Sequence, residues 1–114
     1  MTAKSVLVVD DDPSIRRVVA FWLQAEGLTV ILAETGEQAL KTLLETPIDT
    51  MVTDVRLPGI DGATLAHLAN RLDHPPPHVY LMSAFPPPEH TEAERFFRKP
   101  DQLGDLVQLL LKDA

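Results

Sequence analysis

The chain has 114 residues, a length that suits one compact domain. Its formal charge of -7 at pH 7 argues against a nucleic-acid-binding surface, and the absence of cysteine excludes disulfides and thiolate metal sites. No apolar run approaches the roughly eighteen residues of a membrane span, and the run at 5–9 is too short for a signal-peptide core. We therefore expect a cytoplasmic domain with neither a nucleic-acid nor a membrane partner.

Short apolar runs alternate with helical periodicity through the first half of the chain. Residues 6–9 are apolar on both faces, which predicts a buried strand of a parallel sheet. Asp12, followed by proline, is a typical N-cap, and Gly27 ends the helix that it begins. A second strand is predicted at 28–32, and residues 35–38 have the pattern of a capping box for the next helix.

The same alternation continues in the second half. A third strand is predicted at 50–53, a helix capped by Asp61 follows, and strands at 78–82 and near 95–98 precede a last helix from Leu103. Five strands alternating with helices indicate an α/β protein with three layers. Among the few topologies that right-handed crossovers allow, we predict a flavodoxin-like parallel sheet with strand order 2-1-3-4-5.

The stretch between the fourth and fifth strands is rich in proline. Residues 86–88 are all proline, which biases the residues before them towards extended geometry and away from helix. A helix could occupy only 88–94, where no apolar stripe is present. We therefore predict that the fourth helix of the alternating pattern is shortened or absent and that segment 84–94 takes its place.

Polar residues follow the predicted strands at their carboxyl ends. They are the aspartates 10–12 after the first strand, Asp54 after the third, Ser83 after the fourth and Lys99 after the fifth. In an open α/β sheet these ends share one edge, where ligands bind, so we expect the residues to converge on one site. Two carboxylates about 4 Å apart repel by about 4 kcal/mol at an effective dielectric constant of about 20. Oxygen ligands alone favour magnesium, or manganese, as the cation that removes this repulsion.

A carboxylate beside such a metal can act as a nucleophile towards phosphorus. An ammonium and a hydroxyl, which Lys99 and Ser83 would supply, can then help to neutralise the transferred phosphoryl group. Asp12 is assigned instead to capping the first helix.

Four motifs carry a resemblance to a known family. They are Val8-Val9-Asp10-Asp11-Asp12-Pro13, Thr53-Asp54-Val55-Arg56-Leu57-Pro58-Gly59-Ile60-Asp61-Gly62, Met82-Ser83-Ala84 and Lys99-Pro100. In this order they are similar to the receiver domain of response regulators in two-component signal transduction. The match extends from the first strand to the last helix, which implies a single receiver domain at 1–114.

The resemblance implies a role for each matching residue of the acidic site. Asp54 matches the phosphoacceptor. Asp11 matches a direct Mg²⁺ ligand, Asp10 matches an acidic residue that acts mainly through water, and the backbone carbonyl of Arg56 matches the third protein ligand.

Further positions match the residues that respond to the phosphoryl group. Ser83 and Lys99 match the groups that hold it, and Phe96 matches the aromatic switch position. The Lys99-Pro100 bond matches a cis peptide of the family. In this family the residues two positions beyond the phosphoacceptor and beyond the hydroxyl flank the path of the attacking water. Here they are Arg56 and Phe85, and we expect their bulk to slow hydrolysis of the acyl phosphate.

The implied function is signalling. The domain would accept a phosphoryl group on Asp54 from a histidine kinase or a phosphotransfer protein and then switch its partner binding. It would not be an enzyme beyond catalysing its own phosphorylation and dephosphorylation. The cognate kinase, the output partner or domain and the oligomeric state stay open. Typical receivers report phosphorylation through their fourth helix, fifth strand and last helix, so this chain would use another surface or segment 84–94 itself.

Two alternatives remain from the sequence. One is a degenerate receiver that acts as an interaction module without phosphorylation, which the altered segment 84–94 leaves open. The other is a phosphohydrolase with an Asp-x-Asp motif formed by Asp10 and Asp12, although so short a chain shows no cap or substrate pocket.

Overall fold

The computed structural model describes residues 4–88, 90–99 and 101–113. Its elements, in chain order, are β1 (Ser5–Val9), α1 (Pro13–Ala25), β2 (Thr29–Ala33), α2 (Gly36–Glu45), β3 (Thr50–Asp54), α3 (Gly62–Ala69), β4 (His78–Ser83), β5 (Arg95–Arg98) and α4 (Leu103–Asp113). No helix in this described part of the chain is long and apolar enough to cross a membrane.

The five strands form one parallel sheet in the order β2-β1-β3-β4-β5, which confirms the predicted topology. Successive side chains of a strand point to opposite faces, so β1 contributes to two cores. Val6 and Val8 pack with α1 and α4 on one face, and Leu7 and Val9 pack with α2 and α3 on the other. Burial on both faces explains why β1 is a continuous apolar run.

The predicted helix starts are present, with one difference. The side chains of Asp12 and Asp61 accept hydrogen bonds from the first turns of α1 and α3, each at 2.8 Å. The Thr35 hydroxyl accepts from the Gln38 N–H, as a capping box requires. Gln38 does not complete the box at Thr35, because its side chain accepts from the N–H of Glu34 instead.

Strand boundaries differ from the prediction by one residue. The strand predicted at 28–32 lies at Thr29–Ala33, because the N–H of Leu28 donates to the Leu23 carbonyl at the end of α1 and not to the sheet. The third and fourth strands each extend one residue further, to Asp54 and Ser83, so these two residues are themselves part of the sheet.

Segment 84–94 contains no helix among its described residues, 84–88 and 90–94. The prediction that this helix is shortened or absent is therefore confirmed for that part of the chain. Both ends of β5 are fixed by hydrogen bonds to β4. The Glu94 N–H donates to the Val79 carbonyl at 2.7 Å, and the Lys99 N–H donates to the Ser83 carbonyl at 2.8 Å.

Candidate functional site

The polar residues predicted to form a site lie at the carboxyl edge of the sheet. Asp10 and Asp11 directly follow β1, Asp54 ends β3, Ser83 ends β4 and Lys99 follows β5. Because β1, β3, β4 and β5 are consecutive neighbours in a parallel sheet, their ends lie side by side. The fold thus gathers side chains from distant positions of the sequence at one edge.

Lys99 bridges two of the carboxylates. Its Nζ donates to Asp10 Oδ2 at 2.7 Å and to Asp54 Oδ2 at 3.0 Å. The group is largely withdrawn from solvent, since the Lys99, Asp10 and Asp54 side chains are 11%, 0% and 10% exposed. A lysine in this position holds two buried acids together and can transfer a hydrogen bond to an incoming anion.

Burial and ion pairing shift the pKa values of Asp10 and Lys99 in opposite directions. Burial raises the pKa of the Asp10 carboxyl, and the hydrogen bonds from Lys99 and from the Asp12 N–H, at 2.9 Å, offset part of that rise. Burial alone would lower the pKa of Lys99, but its hydrogen bonds to Asp10 and Asp54 outweigh burial and raise the pKa. Lys99 is therefore a firmly charged ammonium.

Three carboxylates form an acidic cluster whose negative charge exceeds the single positive charge of Lys99. Oxygens of Asp10, Asp11 and Asp54 all lie within 4.8 Å of one another, with Asp11 exposed and the other two buried. The donor set consists of oxygen atoms only, and one of the three acids faces solvent, where a cation can enter. These features fit a hard divalent cation such as Mg²⁺.

Arg56 and Phe85 meet beside this cluster. The Arg56 N–H lies 3.4 Å from Asp54 Oδ1, which keeps the backbone of Arg56 close to the predicted phosphoacceptor. Its guanidinium carbon lies 3.8 Å from the centroid of the Phe85 ring. The Phe85 N–H donates to Ser83 Oγ at 3.0 Å. The role of the Arg56 carbonyl as a metal ligand stays a prediction.

The predicted switch residue is half-buried. Phe96 lies on β5 opposite Leu81 of β4, whereas its neighbour Phe97 is buried in the core, edge-on to Tyr80. The switch role of Phe96 stays a prediction. The cis bond expected at Lys99-Pro100 falls on Pro100, which lies outside the described residues.

Arg16 is a neighbour of the site that the sequence analysis did not identify. Its guanidinium donates to the Asp10 carbonyl at 2.6 Å and lies 3.6 Å from a carboxylate oxygen of Glu34, and its side chain is 13% exposed. Arg16 therefore links the loop after β1 to the loop after β2. No sequence pattern singled Arg16 out, because its contact with the Asp10 carbonyl depends on the path of the loop after β1.

Gly62 is the last residue of the motif at 53–62, and its packing explains why this residue is a glycine. A Cβ atom at this residue would lie 2.8 Å from the Cα of Val55 and closer still to the Asp54 carbonyl oxygen. The Gly62 N–H also donates to the Val55 carbonyl at 2.7 Å. A glycine is required here because the start of α3 packs directly on the backbone that presents Asp54.

Comparison with known proteins agrees with this geometry. The family model of the response regulator receiver domain matches residues 6–110. The transcriptional regulatory protein AfsQ1 of Streptomyces coelicolor is 40% identical over 80 residues, which are 70% of this chain and 35% of that protein. The transcriptional regulatory protein AruR of Pseudomonas aeruginosa is 46% identical over 65 residues, 53% of this chain and 27% of that protein. The chain thus spans only about a third of the length of these relatives.

Solved structures show the same architecture. A response regulator receiver protein from Pseudomonas putida has a TM-score of 0.87 at 26% identity, with 98% of both chains covered. The chemotaxis response regulator CheY4 of Vibrio cholerae has a TM-score of 0.84 at 24% identity, covering 99% of this chain and 100% of that one. At that identity the second likeness concerns the fold alone.

Proposed function

This chain belongs to the response regulator receiver family, and on that premise we propose that it is a cytoplasmic phosphoacceptor whose Asp54 takes a phosphoryl group from a histidine kinase or a phosphotransfer protein. The observation that carries the proposal is the buried bridge from Lys99 to Asp10 and Asp54 beside an acidic cluster of three carboxylates. A structural ion pair needs one carboxylate, whereas this site concentrates more negative charge than Lys99 can balance.

The proposed reaction is a phosphoryl transfer between two side chains. An oxygen of the Asp54 carboxylate attacks the phosphorus of a phosphohistidine, and a P–O bond forms as the P–N bond breaks. The bonding electron pair returns to the imidazole, which leaves as a neutral ring when its other nitrogen carries a proton. Asp11, Asp54 and the Arg56 carbonyl would hold Mg²⁺, or Mn²⁺ in its place, with Asp10 acting mainly through water. The bound cation would supply charge neutralisation for the phosphoryl oxygens.

Two side chains of the site then act on the transferred group. Lys99 can exchange its hydrogen bond to Asp54 for one to a phosphoryl oxygen while it keeps its bond to Asp10. The Ser83 hydroxyl accepts from the Phe85 N–H, so its own proton remains free to be donated to another phosphoryl oxygen. The domain catalyses only its own phosphorylation and dephosphorylation.

The proposal is tested with a small phosphodonor. The purified domain is incubated with acetyl phosphate and magnesium, and intact mass is measured against an EDTA control and an Asp54→Asn control. We expect a gain of one phosphoryl group that needs both the metal and Asp54. A gain that persists in Asp54→Asn would contradict the assignment.

The second candidate is a degenerate receiver that binds partners without phosphorylation, and the observation that favours it is the lack of a helix at 84–88 and 90–94. It predicts no mass gain under the same conditions. The phosphohydrolase hypothesis is disfavoured because the Asp12 carboxylate is occupied as the N-cap of α1 and lies outside the acidic cluster. Multiple turnover on simple phosphate esters would revive it.

A further inference from the structure

The contact between Arg56 and Phe85 joins the two polypeptide segments that leave the site. Arg56 follows Asp54 by two residues, and Phe85 follows Ser83 by two residues. The guanidinium lies over the ring at 3.8 Å, and the Phe85 side chain is still 48% exposed. This contact lies at the surface, beside Asp54 and Ser83.

Among the described residues, the Arg56 charge has no acidic partner in the unphosphorylated protein. Within residues 4–88, 90–99 and 101–113, no carboxylate lies at ion-pair distance from this guanidinium. Asp10 and Asp54 are already bridged by Lys99. A cation–π contact at a half-exposed ring is a weak interaction, so the resting position of the Arg56 side chain is held only lightly.

A phosphoryl group on Asp54 would change this balance. It adds up to two negative charges and three strong acceptor oxygens, and the Arg56 backbone lies beside Asp54. A guanidinium binds phosphate through two parallel charge-assisted hydrogen bonds, which are stronger than its contact with an aromatic face. Lys99 is a point charge, so it cannot form the paired hydrogen bonds that a guanidinium forms with phosphate.

We propose that the Arg56 guanidinium is a phosphate ligand that leaves the Phe85 ring when Asp54 is phosphorylated, and that this exchange releases the start of segment 84–94. This inference rests on the proposed phosphorylation of Asp54. It assigns a binding role to the Arg56 side chain, separate from the predicted role of its carbonyl.

The attachments of segment 84–94 determine which of its residues could move when Asp54 is phosphorylated. Its far end is fastened to α3 and to the turn that follows it, because the Glu92 carboxylate binds His67 of α3 and Arg71 of the turn and the Asn70 side chain donates to the Glu92 carbonyl. Its near end is held by the Phe85 N–H on Ser83 and by the Arg56 contact. Loss of the Arg56 contact would therefore leave the Phe85 N–H on Ser83 as the remaining described attachment of the exposed residues 84–87, which could then move while 90–94 stays in place.

The test follows Arg56 and Phe85 by NMR. The ring current of Phe85 shifts the resonance of the Arg56 δ protons. The Phe85→Leu variant lacks this shift, which identifies the Arg56 resonance. In protein labelled with 4-fluorophenylalanine, the fluorine resonance of Phe85 reports on its surroundings and is assigned by its loss in the same variant. Parent, Arg56→Met and Arg95→Met are compared after intact mass shows complete phosphorylation, so that differences in rate do not matter.

Arg95→Met is the matched control. Arg95 also lies over a phenylalanine ring, at 5.4 Å from the Phe97 centroid, but at the start of β5, at the opposite edge of the sheet from the site. On phosphorylation we expect the Arg56 shift to disappear and the Phe85 resonance to move in the parent and in Arg95→Met. In Arg56→Met the Phe85 resonance should move by less than half as much.

Retention of the Arg56 ring-current shift in fully phosphorylated protein would overturn the inference, and so would equal movement of the Phe85 resonance in Arg56→Met. Both outcomes leave the phosphorylation of Asp54 intact. Absence of any mass gain on Asp54 in the parent would instead contradict the proposed function, and the inference with it.

Discussion

Lys99→Met removes the ammonium that bridges Asp10 and Asp54 and keeps a side chain of similar length. Asp10 is fully buried, so its carboxylate would be left with the Asp12 N–H as its remaining described hydrogen-bond donor. The loss should therefore appear as a lower free energy of unfolding in metal-free buffer.

The magnitude follows from the burial of the pair. Removing one partner of a buried ion pair costs about 3–5 kcal/mol, because the other charge is left uncompensated. We expect about 3 kcal/mol, the lower end, because Lys99 keeps some contact with water and the raised pKa of Asp10 eases protonation of its carboxyl. That is a large share of the roughly 5–15 kcal/mol that stabilises a typical domain. Asp10→Asn added to Lys99→Met removes the orphan charge and should restore about 1–2 kcal/mol.

Urea unfolding at pH 7 in EDTA measures both effects. Lys41→Met, at an exposed lysine of α2, serves as the control and should change the unfolding free energy by less than about 0.5 kcal/mol. An unchanged free energy in Lys99→Met would refute the reasoning. So would a double variant that is less stable than Lys99→Met alone, since the buried charge would then not be the cause.

Four further predictions concern the metal, the phosphate and the loops. Magnesium at about 100 times its dissociation constant should stabilise the parent by about 2.7 kcal/mol, and Asp11→Asn should lose most of this in thermal unfolding; equal stabilisation of both would contradict the metal assignment. The double variant Arg56→Ala and Phe85→Ala should shorten the acyl-phosphate lifetime severalfold in a mass-spectrometric time course, and an unchanged lifetime would show that these two side chains do not keep water from the acyl phosphate. Gly62→Ala should cost about 1–3 kcal/mol or more in urea unfolding because its Cβ meets backbone atoms, and an unchanged midpoint would argue against that contact. The hydrogen bond from Arg71 lowers the pKa of Glu92 below its ordinary 4.5, so the attachment of Glu92 to His67 and Arg71 should persist at neutral pH and be lost as the pH falls below that value; amide NMR of 90–94 should show this step in the parent and not in Glu92→Gln.

The fold could be predicted because its signals are local. Residues 6–9 are apolar on both faces, as a central parallel strand requires, and helix starts are marked by capping side chains such as Asp12 and Asp61. The one-residue displacement of β2 has a physical reason. Leu28 is apolar and buried, so it extends the apolar run, but its N–H belongs to the end of α1.

The proximity of the site residues could be predicted because the carboxyl ends of parallel strands share an edge. The contacts that long side chains make at the site could not be predicted from the sequence. The position of Arg16 on the Asp10 carbonyl and the stacking of Arg56 on Phe85 depend on rotamers and on loop paths that no periodicity encodes. The prolines predicted that the described residues of 84–94 form no helix, but nothing in the sequence indicated that Glu92 would fasten this segment to Arg71 in the turn after α3.

The most direct test of the account locates the phosphoryl group chemically. Domain treated with acetyl phosphate and magnesium is reduced with borohydride, which converts an aspartyl phosphate to homoserine, and is then digested and sequenced by mass spectrometry. The account predicts homoserine at position 54, and only when metal and phosphodonor are both present. Unmodified Asp54 in protein that has gained a phosphoryl group, or homoserine at position 10 or 11 instead, would contradict it.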